Sequence, residues 1–418
     1  MSLILQLPAE LVHHIGGHML LTTYHPTLCI LSKSCTFLQT NLYDRLGEVR
    51  LHNAWAKDWK NALKHMSADQ MVILERHHNM GNTNLPPHHD LIDACVEIGN
   101  IDVLKYVVMA RKGYEKEGDI VRLFLKMSKH GHLIMVQWLA LQFNLTKEDA
   151  RALNNYALNF SCANGHIEVA QWLTQHFGLT ANDARAGNNF ALRWSCAHGH
   201  LQVGQWLTSH FGLTEVDARA SNNYALCFSC ANGYLGVAQW LTSHFGLTAE
   251  DARAHSNVAF IQSCAAGHLR VAQWLTEHFG LTAEDARAEN NLAFLESCGN
   301  GHLEVAQWLT EHFGLTVEDA RTFNSQALRW SCANGHLQVA QWLTSHFGLT
   351  TEDAREWANH ALRFSCENGH LHVAQWLTQH FGLTANDART FNNHALRVSS
   401  LYGHLDVARW LTEHFGLY

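Results

Sequence analysis

Asn334-Gly335-His336-Leu337-Gln338-Val339-Ala340-Gln341-Trp342-Leu343-Thr344-Ser345-His346-Phe347-Gly348-Leu349-Thr350-Thr351-Glu352-Asp353-Ala354-Arg355 is one copy of a phrase that returns at a fixed interval. Its glycine stands at Gly131, Gly165, Gly199, Gly233, Gly267, Gly301, Gly335, Gly369 and Gly403, each step being 34 residues. A degenerate earlier copy carries Gly99. A period of this length builds a stack of near-identical units, each burying its apolar face against its neighbours. Function in such a stack lies where the units differ, and the chain reads as a binding surface before anything else.

The physics within one copy is local. Ala327, Leu328, Ser331 and Cys332 share one helical face of mostly small residues, which permits close packing. Asn334-Gly335 predicts the end of that helix, with glycine free to adopt the left-handed conformation. Leu337, Val339, Ala340, Trp342 and Leu343 then give a second apolar helix, stopped at Gly348-Leu349. Thr350-Thr351-Glu352-Asp353 reads as an N-cap with acids in the first turn. The unit is helix, tight turn, helix and a short helical or turn-like connector. The fold class expected is all-α, a solenoid of about ten units.

Composition sets bounds. The chain has 418 residues, 47% of them hydrophobic, and a net charge of −8. That balance gives no electrostatic case for nucleic acid or an acidic membrane. No apolar run reaches the length of a bilayer span, and the first residues lack a basic n-region. The expectation is a soluble, intracellular protein, cytoplasmic or nuclear. Seven of the eleven cysteines form one column, from Cys162 to Cys366. Packed helices sit about 8–10 Å apart, whereas a disulfide needs Cα atoms within about 7 Å, so neighbours in the column should stay reduced. Prolines occur only at 8, 26, 86 and 87. The Gly/Asn/Pro-rich stretch 80–87 is therefore the natural linker. It separates a helical connector within 47–87 from a continuous architecture over 88–418.

Several columns invite chemistry. Histidines recur after the turn glycine and in His-Phe-Gly, but residues of one column stand a helix diameter apart, too far to share a metal. The expected role of the Gly-His histidine is to bond backbone at the turn. The tryptophan column, Trp138 to Trp410, is expected to pack in the core. Asp319 with Arg321, and their equivalents, suggest a charge ladder between connectors. Exposed pairs of that kind contribute little. No phosphate loop, nucleophile elbow or His-Glu-x-x-His motif occurs, and neither an enzyme nor a cofactor is expected.

The pattern A-L-x-x-S-C-x-x-G-H-L-x-V-A-x-W-L over about 88–418 resembles the ankyrin repeat. Two departures stand out: alanine (Ala327 and its equivalents) replaces the proline that opens the family's first helix, and each unit has one residue more than the usual 33. The resemblance implies that the first helix faces a concave groove, and that the family's β-hairpin fingers are replaced by the T-x-E-D-A-R connector. Tetratricopeptide arrays share the period, but their aromatic and proline positions are absent. Against that frame the variable columns concentrate aromatics and arginines in the last units: Phe323, Arg329, Trp330, Trp357, Arg363, Phe364, Phe391 and Arg397. Such residues dominate interface hot spots, so a protein partner on the concave surface is expected there. The alternative is that these aromatics pack between neighbouring first helices.

Residues 1–46 are similar to an F-box, in Leu7-Pro8-Ala9-Glu10-Leu11 with Ile15 and in the later Leu31 and Leu38. Pro8 suits a first helical turn, and Leu11 and Ile15 share a face. The resemblance implies docking onto the adaptor of a cullin–RING ubiquitin ligase, through Leu7, Pro8, Leu11, Ile15, Leu31 and Leu38. The stack would then select substrates. A plain capping domain on a scaffold or masking inhibitor is the other reading.

Overall fold

The computed structural model describes residues 51, 54–79, 85, 88–110 and 117–418. The F-box-like stretch, with Leu7, Pro8, Leu11, Ile15, Leu31 and Leu38, lies outside them. The chain divides after Leu145 into two compact units.

Among the described residues of the first unit the helices are Trp59–Leu63, Ala68–Asn79, His88–Ile98, Ile101–Ala110, Glu117–His130 and Leu133–Gln142. Asp58 caps the first by accepting from the Asn61 N–H. Asn100 ties distant segments together, its side-chain amide donating to the Leu63 and Met66 carbonyls at 2.7 and 2.8 Å. Leu63, Met71, Leu91, Phe124 and Met127 form the core.

Thr146–Tyr418 folds as eight repeats, numbered 1 to 8 in chain order. Repeat 6 is typical, with a short helix Val317–Ala320, a first long helix Thr322–Ala333 and a second, Leu337–Phe347. No strand occurs among the described residues. The fold is the expected all-α solenoid. Ala327, Leu328, Ser331 and Cys332 are fully buried, as their shared face requires. Gly348 ends the second helix in the left-handed conformation (φ 65°). Thr350 and Asp353 then close a reciprocal capping box that starts the next connector helix.

Between connector and first helix comes a turn that the sequence reading did not resolve. Three successive residues take left-handed φ and ψ: Phe323, Asn324 and Ser325 in repeat 6, and Leu153, Asn154 and Asn155 in repeat 1. Asparagine tolerates this region better than other non-glycine residues, and the Asn-Asn pairs 154–155, 188–189, 222–223, 290–291 and 392–393 encode it.

The charge ladder runs between connectors as expected, each arginine pairing with the aspartate of the next repeat. Asp319 accepts from Arg287, while Arg321 reaches forward to Asp353, with Nε to Oδ1 at 2.9 Å in both. Each Asp also accepts from the backbone N–H of its capping-box Thr, so it joins two repeats and starts a helix. The carboxylates of Asp319 and Asp353 are buried, unlike the surface pairs anticipated. For Asp285, the Arg253 hydrogen bond holds the carboxyl at about 2. Burial alone would raise Asp353, but Arg321, the Thr350 N–H and the Ser325 hydroxyl together bring it to about 2.

Turn glycines interlock as well. Gly99 and each turn glycine from Gly165 to Gly369 seat the ring that follows the next glycine, His336 over Gly301 and His370 over Gly335. In repeats 3, 5, 6 and 7 the asparagine before the glycine reaches the preceding repeat's backbone; Asn334 Nδ2 donates to the Gly299 carbonyl at 2.7 Å. The expected histidine–backbone bond is made by His132 to the Val96 carbonyl and by His200 to that of Ala163, whereas in repeats 5, 6 and 7 the asparagine makes the backbone bond and the histidine packs over the preceding glycine. The tryptophans are half-buried rather than core. Trp342 stacks on exposed His346 at 5.4 Å and meets Phe347 edge-on at 5.7 Å.

Candidate protein-binding surface

The first residue of each left-handed turn forms a ridge along the repeats: Leu153, Gly187, Ser221, His255, Glu289, Phe323, Trp357 and Phe391. A bulky side chain at positive φ is a genuine outlier, and glycine is the natural occupant. Yet Phe323, Trp357 and Phe391 hold φ of 50–52° while their side chains stand 53%, 59% and 61% exposed. Neither local backbone preference nor burial accounts for three aromatics there. Strain of this kind persists where the surrounding structure over-determines it, and it clusters at functional sites.

The arginines of the last repeats supply that determination. Arg329 Nε and Nη2 donate to the carbonyls of Asn324 and Phe323, each at 2.8 Å. Its guanidinium lies 4.5 Å from the centroid of the Trp357 ring in the next repeat. Arg363 repeats the arrangement, donating to Ala358 and Trp357 carbonyls at 2.8 and 3.1 Å and lying 4.6 Å from the Phe391 ring. Each arginine therefore pins one turn and braces the aromatic on the following one. Both are buried, and burial lowers both guanidinium pKa values. The sequence reading counted Arg329 and Arg363 as contact residues. The structure engages them from within, because the planar fork matches two turn carbonyls.

Trp330 and Phe364 are half-buried on the first helices. Phe364 stacks on His360 at 4.1 Å, and Trp330 packs where a Cβ on Gly299 would come within 3.2 Å of it. Burial, reinforced by Arg329 and Arg363, drives His360 down to about 4, so this ring is neutral near pH 7. Arg397 is exposed. The structure thus brings Phe323, Arg329 and Trp357 into one cluster and Arg363, Phe364 and Phe391 into the next.

Other chemistry is muted. Burial pushes the Cys366 thiol up to about 12 and Cys227 to about 11, values at which a thiolate nucleophile is scarce. Among the described residues no three His, Cys, Asp or Glu side chains are placed to hold a metal ion. No described helix is long and apolar enough to cross a membrane.

A family model described as ankyrin repeats, in three copies, matches residues 328–417. That stretch is similar to ankyrin repeats. It spans the first helix of repeat 6 through repeat 8, and it indicates a protein–protein interaction role. Among curated proteins nothing matches the chain.

Proposed function

We propose that the stack selects a protein partner through the aromatic ridge of repeats 6 to 8, with Phe323, Trp357 and Phe391 as anchors and Trp330 and Phe364 beside them. The observation that carries this is three aromatic residues on successive repeats held at left-handed φ, each more than half exposed. Arg329 and Arg363 act beneath as braces, which keeps the anchors rigid and lowers the entropy lost on binding. Arg397, exposed on repeat 8, adds a cation at the same end.

The N-terminal segment gives this binding its purpose. Its Leu-Pro-x-Glu-Leu opening supports docking onto a cullin–RING ligase adaptor, which makes the chain a substrate receptor in which the repeats position and do not catalyse. Co-purification of the full chain, probed for adaptor and cullin, tests this against a Leu7→Asp/Leu11→Asp variant. Recovery with the native chain and loss with the variant is expected. If neither form recovers adaptor, the receptor reading fails and the repeats act as a scaffold or mask.

A further inference from the structure

A second aromatic array lies in repeats 1 to 3, away from the ridge anchors. Their first helices, Ala152–Ala163, Ala186–Ala197 and Ala220–Ala231, carry six rings in unbroken succession. Ring centroids are 4.1 Å apart for Tyr156 and Phe160, and 5.1 Å for Phe160 and Phe190. Phe190 and Trp194 follow at 5.6 Å, Trp194 and Tyr224 at 5.5 Å, and Tyr224 and Phe228 at 4.1 Å. Five rings are half-buried and Phe228 is exposed. The strip stops at repeat 4, where Val258 and Gln262 hold the same positions.

The fold does not require these rings. Beneath them the core is made by Ala157, Leu158, Ser161, Cys162 and their counterparts, all buried. Repeats 4 and 5 keep the same helices with Val258, Gln262, Leu292 and Glu296 in the aromatic positions.

Charge decides what fits. The three helices contain a single charged side chain, Arg193. It donates to the Asn188 and Gly187 carbonyls at 2.7 and 3.0 Å and lies 4.9 Å from the Tyr224 ring. The connector acids Asp183 and Asp217 are held by Arg151 and Arg185. On the strip's own helices the one cation is thus engaged by backbone, and no carboxylate occurs there to meet a lysine. Nucleic acid, whose affinity depends on neutralising phosphates, is thereby excluded as the occupant. The complementary surface is one that is itself uncharged along its contact.

We propose that this strip docks an uncharged, proline-rich segment of a partner protein in the polyproline II conformation. Such a helix advances about 9 Å per three-residue turn, close to the roughly 8–10 Å between packed helices, so it can present one face to every repeat. Proline-rich segments dock into aromatic-lined grooves and are already extended, so little order must be imposed. The proposal rests on the reading of the stack as protein-binding, but it uses a different surface and a different ligand from the ridge.

The test is fluorescence anisotropy with the full chain and a fluorescein-labelled, uncharged twelve-residue peptide carrying two prolines in every three residues. A proline-free peptide of equal length is the control. Saturable binding is expected, weakened at least tenfold by Trp194→Ala and by Phe228→Ser, unchanged by Trp357→Ala and insensitive to salt. Should Trp194→Ala lose its helical circular dichroism, Phe228→Ser decides, since its ring is exposed. No saturable binding, equal binding of the control, or a loss confined to Trp357→Ala would overturn the proposal. The Trp357→Ala arm keeps the fate of the ridge reading separate.

Discussion

The imidazole of His336 lies over Gly301 of the preceding repeat, so closely that a Cβ on that glycine would fall 2.5 Å from Nδ1. Gly301 also sits at φ +83°, so it is required both for conformation and for space. Gly314, at φ +63°, has nothing within 4 Å of the same added atom. Gly314→Ala should therefore lose only the conformational advantage of glycine, about 1 kcal/mol. Gly301→Ala should lose roughly 2–4 kcal/mol, because the clash adds to it. Urea midpoints compare the two directly. Equal losses would show that the interlock is not under tension, and His336→Ala should recover part of the deficit of Gly301→Ala alone.

Acid should unfold the stack in two stages. His360 is depressed from 6.5 to about 4, so the unfolded chain binds its proton first and stability falls as pH drops from about 6.5 to 4. The buried aspartates follow. Asp285 and Asp353 are held at about 2 in the fold. An unfolded carboxylate near 3.9 makes the difference about 2 kcal/mol for each, fully present above pH 5 and lost as pH falls toward 2. Chemical denaturation at pH 7, 5 and 3 should show both losses. His360→Phe should reduce the upper stage only and Asp353→Asn the lower only, since other depressed histidines such as His336 and ladder aspartates such as Asp285 still titrate. A variant curve parallel to the native one would remove that residue from the account.

Arg329 offers a test supplied by the chain itself, because Leu295 fills the same column in repeat 5 and is fully buried. Arg329→Leu should keep the helical spectrum and most of the stability. Arg329→Ala should lose about 2–4 kcal/mol, from an unfilled cavity and two orphaned turn carbonyls. Both remove the brace from Trp357, so both should weaken partner binding. Unchanged partner affinity in Arg329→Leu would mean that the brace does not position the ring.

The legibility of the sequence follows the range of the interactions. Gly335, Gly348, Thr350 and Asp353 could be assigned from neighbours within four residues, and the structure uses them as expected. The ladder between connectors was also legible, but not the individual partners nor the burial of its carboxylates. Asp319 and Arg321 sit two residues apart on one connector, and the offset between repeats sends each to a residue 32 positions away. The role of Arg329 was hidden for a related reason. Its bonds to residues five and six positions earlier exist only once the chain turns left-handed. The Asn-Asn pairs at that turn tolerate left-handed backbone, but asparagine alone does not distinguish such a turn from a helical connector. The half-buried tryptophans show a further limit: invariance among repeats marks a packing role without saying how much of the ring that packing covers.

Phe323 separates stability from function most sharply. It takes φ 50° with more than half its side chain exposed, and the residue in Arg329's column one repeat earlier is Leu295, so no guanidinium braces its ring. Repeat 2 places Gly187 at this position. Phe323→Asn should relieve backbone strain while losing little packing, and should stabilise the isolated chain by about 0.5–1 kcal/mol. Phe323→Gly gains the same relief but adds freedom to the unfolded chain, so its effect should be smaller. If Phe323 is an anchor, both variants should at the same time weaken partner binding. Thermal melts and partner affinity on the same preparations read the two effects. A destabilised Phe323→Asn would mean that the ring supports the turn. A stabilised variant with undiminished binding would take Phe323 out of the partner surface and leave Trp357 and Phe391 to carry it.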